Sequence, residues 1–145
     1  MERVEGRSLQ EILSKDSMPV AQALTLGGHI ADALAAAHEA GIVHRDLKPA
    51  HMLVADGPGR TPQVKLLDFG IAKIMEKDDP EAESLTGRHV IGTPSYMSPE
   101  QASGEQIDAR TDLYAVGCVL YEMLSGEKVF SGTTVMETLM AHVTK

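Results

Sequence analysis

Tryptophan is absent from this chain, and phenylalanine and tyrosine contribute only two and three residues. A core built without large rings leans on Leu, Val, Ile, Ala and Met, and eight methionines are present. A single cysteine, Cys118, excludes an internal disulfide. Its neighbours Val116, Val119 and Leu120 are apolar, so a buried, inert thiol is expected. Basic residues are outnumbered, 13 against 21 acidic ones, which leaves a net charge of −8. Without a basic surface to release counterions, nucleic acid is argued against as a partner. No run reaches about 18 apolar residues, and no charged-then-apolar leader opens the chain. No membrane segment is expected in this chain, and a cytoplasmic location is.

What is present suits a folded core. The 145 residues are compatible with one domain, and 43% are hydrophobic. Ser8 is placed to cap a short helix over Leu9 to Leu13. Pro19 opens a longer helix to about Ala40, with Leu24, Ile30, Leu34 and Ala37 at helical spacing and Gly41 where a C-cap glycine belongs. The pair Gly27-Gly28 is unfavourable inside that helix; the residues give no functional reason for it, and close packing or plain drift is the ordinary explanation. Ile42-Val43 reads as a short strand. Met52 to Val54 and Val64 to Leu67 read as two more, joined through the turn-rich Asp56-Gly57-Pro58-Gly59. Residues 68–100 read as mostly irregular, and a loop of roughly thirty residues is usually functional or disordered. Thr111 to Leu124 forms a helix ended by Gly126, apolar on more than one face and so expected to be buried. Thr134 to Val143 begins another amphipathic helix.

Two short segments carry chemistry. His44-Arg45-Asp46-Leu47-Lys48-Pro49 sets a carboxylate beside a lysine, a pair able to orient a hydroxyl and neutralise a moving phosphate. Asp68-Phe69-Gly70 sets a second carboxylate on a glycine turn, which suits a hard cation such as Mg²⁺. Alone, either triplet would be an ordinary solvated turn.

Together these segments resemble the catalytic and metal loops of protein kinases. Gly92-Thr93-Pro94-Ser95-Tyr96-Met97-Ser98-Pro99-Glu100 resembles the end of a kinase activation segment. The chain is thus similar to a bacterial-type serine/threonine protein kinase. The fold this implies is mainly α with a small β-hairpin, a kinase-like C-terminal lobe forming part of the α+β kinase fold. Residues 1–6 correspond to the hinge, 42–70 to the catalytic and metal loops, 68–100 to the activation segment and 111–125 to the central helix. No glycine-rich phosphate loop, Val-Ala-x-Lys strand or partner glutamate helix is seen. The resemblance therefore implies a fragment without the N-terminal lobe and last helices, which alone would not phosphorylate protein at a normal rate. A membrane anchor could lie elsewhere in a longer protein.

The resemblance assigns roles residue by residue. Asp46 orients the substrate hydroxyl, Lys48 reaches the transferred phosphate, and Thr93 bonds both and marks serine/threonine specificity. Asp68 binds the Mg²⁺ that bridges the phosphates of ATP. The Glu2 carbonyl and Val4 amide bond the adenine, and Leu53 floors its ring. His44 and Phe69 stack, with His44 a packed residue and not a catalytic one, and Gly70 allows the bend after Phe69. Arg45 pairs with a phosphate on the activation segment, for which Ser84 and Thr86 are the candidates. Glu100 pairs with an arginine in a late helix, and Asp112 anchors the catalytic-loop backbone. The break in pattern is His51, where kinases place asparagine as a second Mg²⁺ ligand. Imidazole is softer and suits Mn²⁺ or Zn²⁺ better than Mg²⁺, so reduced Mg²⁺-dependent turnover is expected. The function implied is ATP-dependent phosphorylation of serine or threonine in a protein substrate. The alternative is a non-catalytic, pseudokinase-like interaction module.

Overall fold

Ser8 starts the first helix by a reciprocal cap. Its Oγ accepts from the Glu11 N–H at 3.2 Å, and Glu11 Oε2 accepts from the Ser8 N–H at 2.9 Å. This helix, α1 (Leu9–Leu13), follows a two-residue strand, β1 (Arg7–Ser8). The structure is a computed structural model that describes residues 6–14, 17–56, 62–69 and 93–145.

The long helix α2 (Val20–Glu39) begins after Pro19 and buries Ala23, Leu26, Gly27, Ile30 and Leu34 along one stripe. Leu24, expected on that stripe, is 66% exposed on the outer face. The end of α2 is a Schellman motif. Gly41 takes φ 74, its N–H donates to the His38 carbonyl at 2.9 Å, and the Ile42 N–H donates to the Ala37 carbonyl at 2.9 Å. The expected strand at Ile42-Val43 therefore does not form: the Ile42 amide closes the helix instead.

Strands β2 (Met52–Asp56) and β3 (Pro62–Leu66) pair antiparallel, with Met52 opposite Leu66 and Val54 opposite Val64. β1 adds to the other edge of β2, Arg7 opposite Val54, so the hairpin becomes a three-stranded sheet. A one-turn 3₁₀ helix, Pro49–His51, leads into β2.

The stretch expected to be irregular holds a second 3₁₀ turn, Pro94–Tyr96, and a short helix, α3 (Pro99–Ser103), begun by a Ser98–Gln101 capping box. The central helix α4 (Ala109–Ser125) ends at Gly126. Its inner face, with Ala115, Val116, Cys118, Val119 and Met123, joins the core formed by α1, α2 and the sheet. Leu113, Tyr121 and Leu124 are exposed, so α4 is buried on one side and not all round. Burial pushes the Cys118 thiol up to about 11, which fits an inert thiol. Helix α5 (Val135–Thr144), capped by Thr134, packs on α3 and on the 94–96 turn. Among the described residues, no helix is long and apolar enough to cross a membrane.

Candidate active site

The site is built around the buried carboxylate of Asp112, in the first turn of α4. It has no solvent exposure and accepts three hydrogen bonds. Oδ2 accepts from the His44 N–H at 2.8 Å and from His38 Nε2 at 2.8 Å, and Oδ1 accepts from the Arg45 N–H at 2.9 Å. A buried carboxylate is tolerable only when saturated in this way. It fixes the backbone just before Asp46. Arg45 is held at φ 68, an unusual conformation for a residue with a side chain.

Asp46 and Lys48 then project from this fixed loop. Lys48 Nζ lies 3.2 Å from Asp46 Oδ2, and both side chains are about one-fifth exposed, at 22% and 23%. The pair is partly open to solvent yet confined. His51 braces the same loop. Its Nδ1–H donates to the Asp46 carbonyl at 3.0 Å, which leaves Nε2 as the lone-pair nitrogen.

His44 ties the second segment to the first. Its ring is fully buried, and Nε2–H donates to the Leu67 carbonyl at 2.9 Å. Among the described residues Nδ1 has no hydrogen-bond partner, as a neutral imidazole allows. Burial lowers the His44 pKa below 6.5, against the Leu67 carbonyl, which raises it. The His44 and Phe69 rings lie 4.8 Å apart, and the Leu67 N–H donates to the His51 carbonyl at 2.8 Å. Segments 44–51 and 67–69 therefore run side by side. Asp68, at φ 55, is exposed at this end of the sheet.

Thr93 lines a small cavity together with Arg45, Asp46 and Gln101. Among the described residues, no hydrogen bond connects Thr93 to Asp46 or Lys48. Glu100 accepts from the Thr111 hydroxyl at 2.7 Å. Leu53 is half-buried in β2. Glu2, Val4, Gly70, Ser84 and Thr86 lie outside the described residues. Two residues that help hold the Arg45–Asp46 segment, one through Asp112 and one directly, were not singled out from the sequence. One is His38, in the last turn of α2. The other is Gln101, whose place in a Ser-x-x-Gln capping box was the available signal.

A lysine ammonium beside a carboxylate on a pinned loop, with Asp68 on the neighbouring segment, is a set of groups chemically able to orient a hydroxyl and offset negative charge. The whole chain, residues 1–145, matches the family model described as Protein kinase domain. The chain belongs to the protein kinase domain family. Curated relatives include the serine/threonine-protein kinase pkn2 of Myxococcus xanthus, 45% identical over 98% of this chain and 17% of that protein. The probable serine/threonine-protein kinase PknB of Corynebacterium glutamicum is 43% identical over 99% of this chain and 21% of its own length. The serine/threonine-protein kinase PknB of Mycobacterium leprae is 41% identical over 99% and 22%. The chain thus spans about a fifth of the length of the curated relatives it matches.

Proposed function

We propose that this site serves transfer of the terminal phosphoryl group of ATP to serine or threonine hydroxyls of a protein substrate. The observation that carries the reading is the half-open Asp46–Lys48 pair, 3.2 Å apart on a loop whose backbone is held by a buried carboxylate. Asp46 Oδ2 orients the attacking hydroxyl and receives its proton, and Lys48 Nζ offsets charge on the phosphoryl oxygens. Thr93 lines a small cavity together with Asp46. Arg45 is the candidate partner for a phosphate on Ser84 or Thr86.

The donor set fits Mg²⁺ through oxygen at Asp68, whose carboxylate is exposed. Bound Mg²⁺–ATP supplies the transferable group and partial neutralisation of its charge. His51 fits less well. Its Nδ1–H is committed to the Asp46 carbonyl, so only the nitrogen Nε2 is left to offer a cation. It keeps a brace on the loop but gives no hard oxygen, which favours Mn²⁺ over Mg²⁺ at that position.

The test is incorporation of labelled phosphate into serine or threonine of a protein substrate by the intact gene product, with Asp46→Asn as the inactive control. His51→Asn should raise Mg²⁺-supported transfer several-fold, on the order of 3- to 10-fold, and narrow any preference for Mn²⁺. An unchanged rate in both metals would remove His51 from the metal argument. Nucleotide binding without transfer in either metal would favour the second reading, a non-catalytic interaction module, to which His51 is the pointer.

A further inference from the structure

Arg45 presents Asp46, and its left-handed backbone persists only if the surroundings hold it. Both of its backbone polar atoms are taken by side chains from distant helices. Its N–H donates to Asp112 Oδ1 on α4 at 2.9 Å. Its carbonyl accepts from Gln101 Nε2 on α3 at 2.7 Å, across 56 residues of sequence. Fixing that carbonyl fixes the peptide plane that leads into Asp46.

The Gln101 amide is used at both ends. Oε1 accepts from the Ser98 N–H at 3.1 Å, while the Gln101 N–H donates back to Ser98 Oγ at 3.4 Å. The side chain is therefore locked to the start of α3 and cannot swing away without breaking the cap. The cavity lined by Arg45, Asp46, Thr93 and Gln101 has a volume of about 10 Å³. That is barely one water, so little room exists for a second arrangement. Ser98 directly follows the Thr93–Met97 segment, so the same amide links the Thr93 side of the site to the Asp46 side.

We propose that Gln101 is a positioning residue for Asp46, holding the Arg45 carbonyl so that the aspartate stays aimed at the reacting hydroxyl. This rests on the phosphoryl-transfer reading of the site. Gln101 need touch neither nucleotide nor substrate; it acts through the backbone between Arg45 and Asp46.

The test uses Gln101→Glu in the intact gene product. This near-isosteric change keeps the Oε1 acceptor for the Ser98 N–H and replaces only the donor, setting a carboxylate oxygen against the Arg45 carbonyl. The expected result is a kcat about tenfold or more below the parent, with KM for ATP and for peptide within about twofold. Amide hydrogen exchange over residues 44–47 should quicken, while exchange in α2 stays as it was. A kcat within about twofold of the parent, or unchanged exchange over 44–47, would overturn the proposal. If Gln101→Glu does not fold, Gln101→Met, which drops both polar ends, takes its place with the same two outcomes. A parent that transfers no phosphate would sink the phosphoryl-transfer reading, and the exchange comparison would still decide whether Gln101 holds the loop.

Discussion

Helices α2 and α4 meet at two places of opposite character. Near the loop that carries Asp46 the contact is polar: His38 Nε2 meets the Asp112 carboxylate at 2.8 Å, with the aspartate side chain 1% exposed. Towards the other end it is apolar and close. A Cβ added at Gly27 would stand 2.8 Å from Leu120 Cδ2, so the missing side chain lets the helices approach. The apolar contact belongs to the core that holds the fold. The polar contact costs desolvation, and its return is a fixed backbone at His44 and Arg45 rather than stability for its own sake. One end of the pair sets how firmly the helices associate, and the other sets where Asp46 points.

The largest break in this comparison should come from Asp112→Asn. One acceptor oxygen survives, but an NH₂ group would face donors among the His44, Arg45 and His38 groups. Unfolding free energy should fall by about 2–4 kcal/mol, read from urea denaturation. Transfer by the intact gene product should fall more steeply than stability explains, because the loop that carries Asp46 loses its anchor. A stability loss with kcat intact would show that the polar end does not position the loop.

The apolar end gives a smaller and sharper contrast. At Gly28 an added Cβ meets nothing within 4 Å, so Gly28→Ala should stabilise by about 0.5–1 kcal/mol through helix propensity alone. Gly27→Ala gains the same propensity but must displace Leu120, and should end about 1 kcal/mol less stable than Gly28→Ala. Neither should alter transfer. Equal stability for the two variants would mean that the helices can part at Gly27 without cost, and the close approach would then explain nothing.

How much of this was legible in the sequence follows from the range of each interaction. The Ser8 cap, the start of α2, the hairpin strands, Gly41 and Gly126 depend on neighbours a few residues away, and their residue types announce them. The pairing of His44-Arg45-Asp46 with Asp68-Phe69 was legible as a motif, though not its means of attachment. Ile42 misled because two apolar β-branched residues suggest a strand, whereas the amide of Ile42 was already needed to close α2. β1, at two residues, is too short to show alternation. The exposed face of α4 could not be told from its buried face by composition, since both are apolar. His38 and Gln101 were missed for a different reason. Their partners lie 74 and 56 residues away, and no local pattern specifies such a contact.

Acid offers the gentlest way to weaken the polar end while leaving the apolar end alone. His44 sits in that region as a neutral, buried imidazole with its pKa lowered from 6.5, chiefly by burial. The Leu67 carbonyl, Asp112 and Asp46 act to raise it, and His51 to lower it further. His142 on α5 is lowered as well, again chiefly by burial, with the Pro94 and Ser95 carbonyls opposing. Both groups bind a proton more weakly folded than unfolded. The unfolded chain therefore takes up protons first as pH falls past about 6.5, and stability drops between that value and the folded pKa values. Each group contributes at most about 1.4 kcal/mol per pH unit in that window. Urea midpoints should fall on going from about pH 7 to 5.5, with a shallower slope in His44→Gln and the parent slope retained in Gly28→Ala. A parent midpoint that is flat across the range would show that neither imidazole is held neutral by the fold. A slope untouched by His44→Gln but reduced by His142→Gln would move the acid-sensitive point from the loop that carries Asp46 to the seat of α5 on the 94–96 turn.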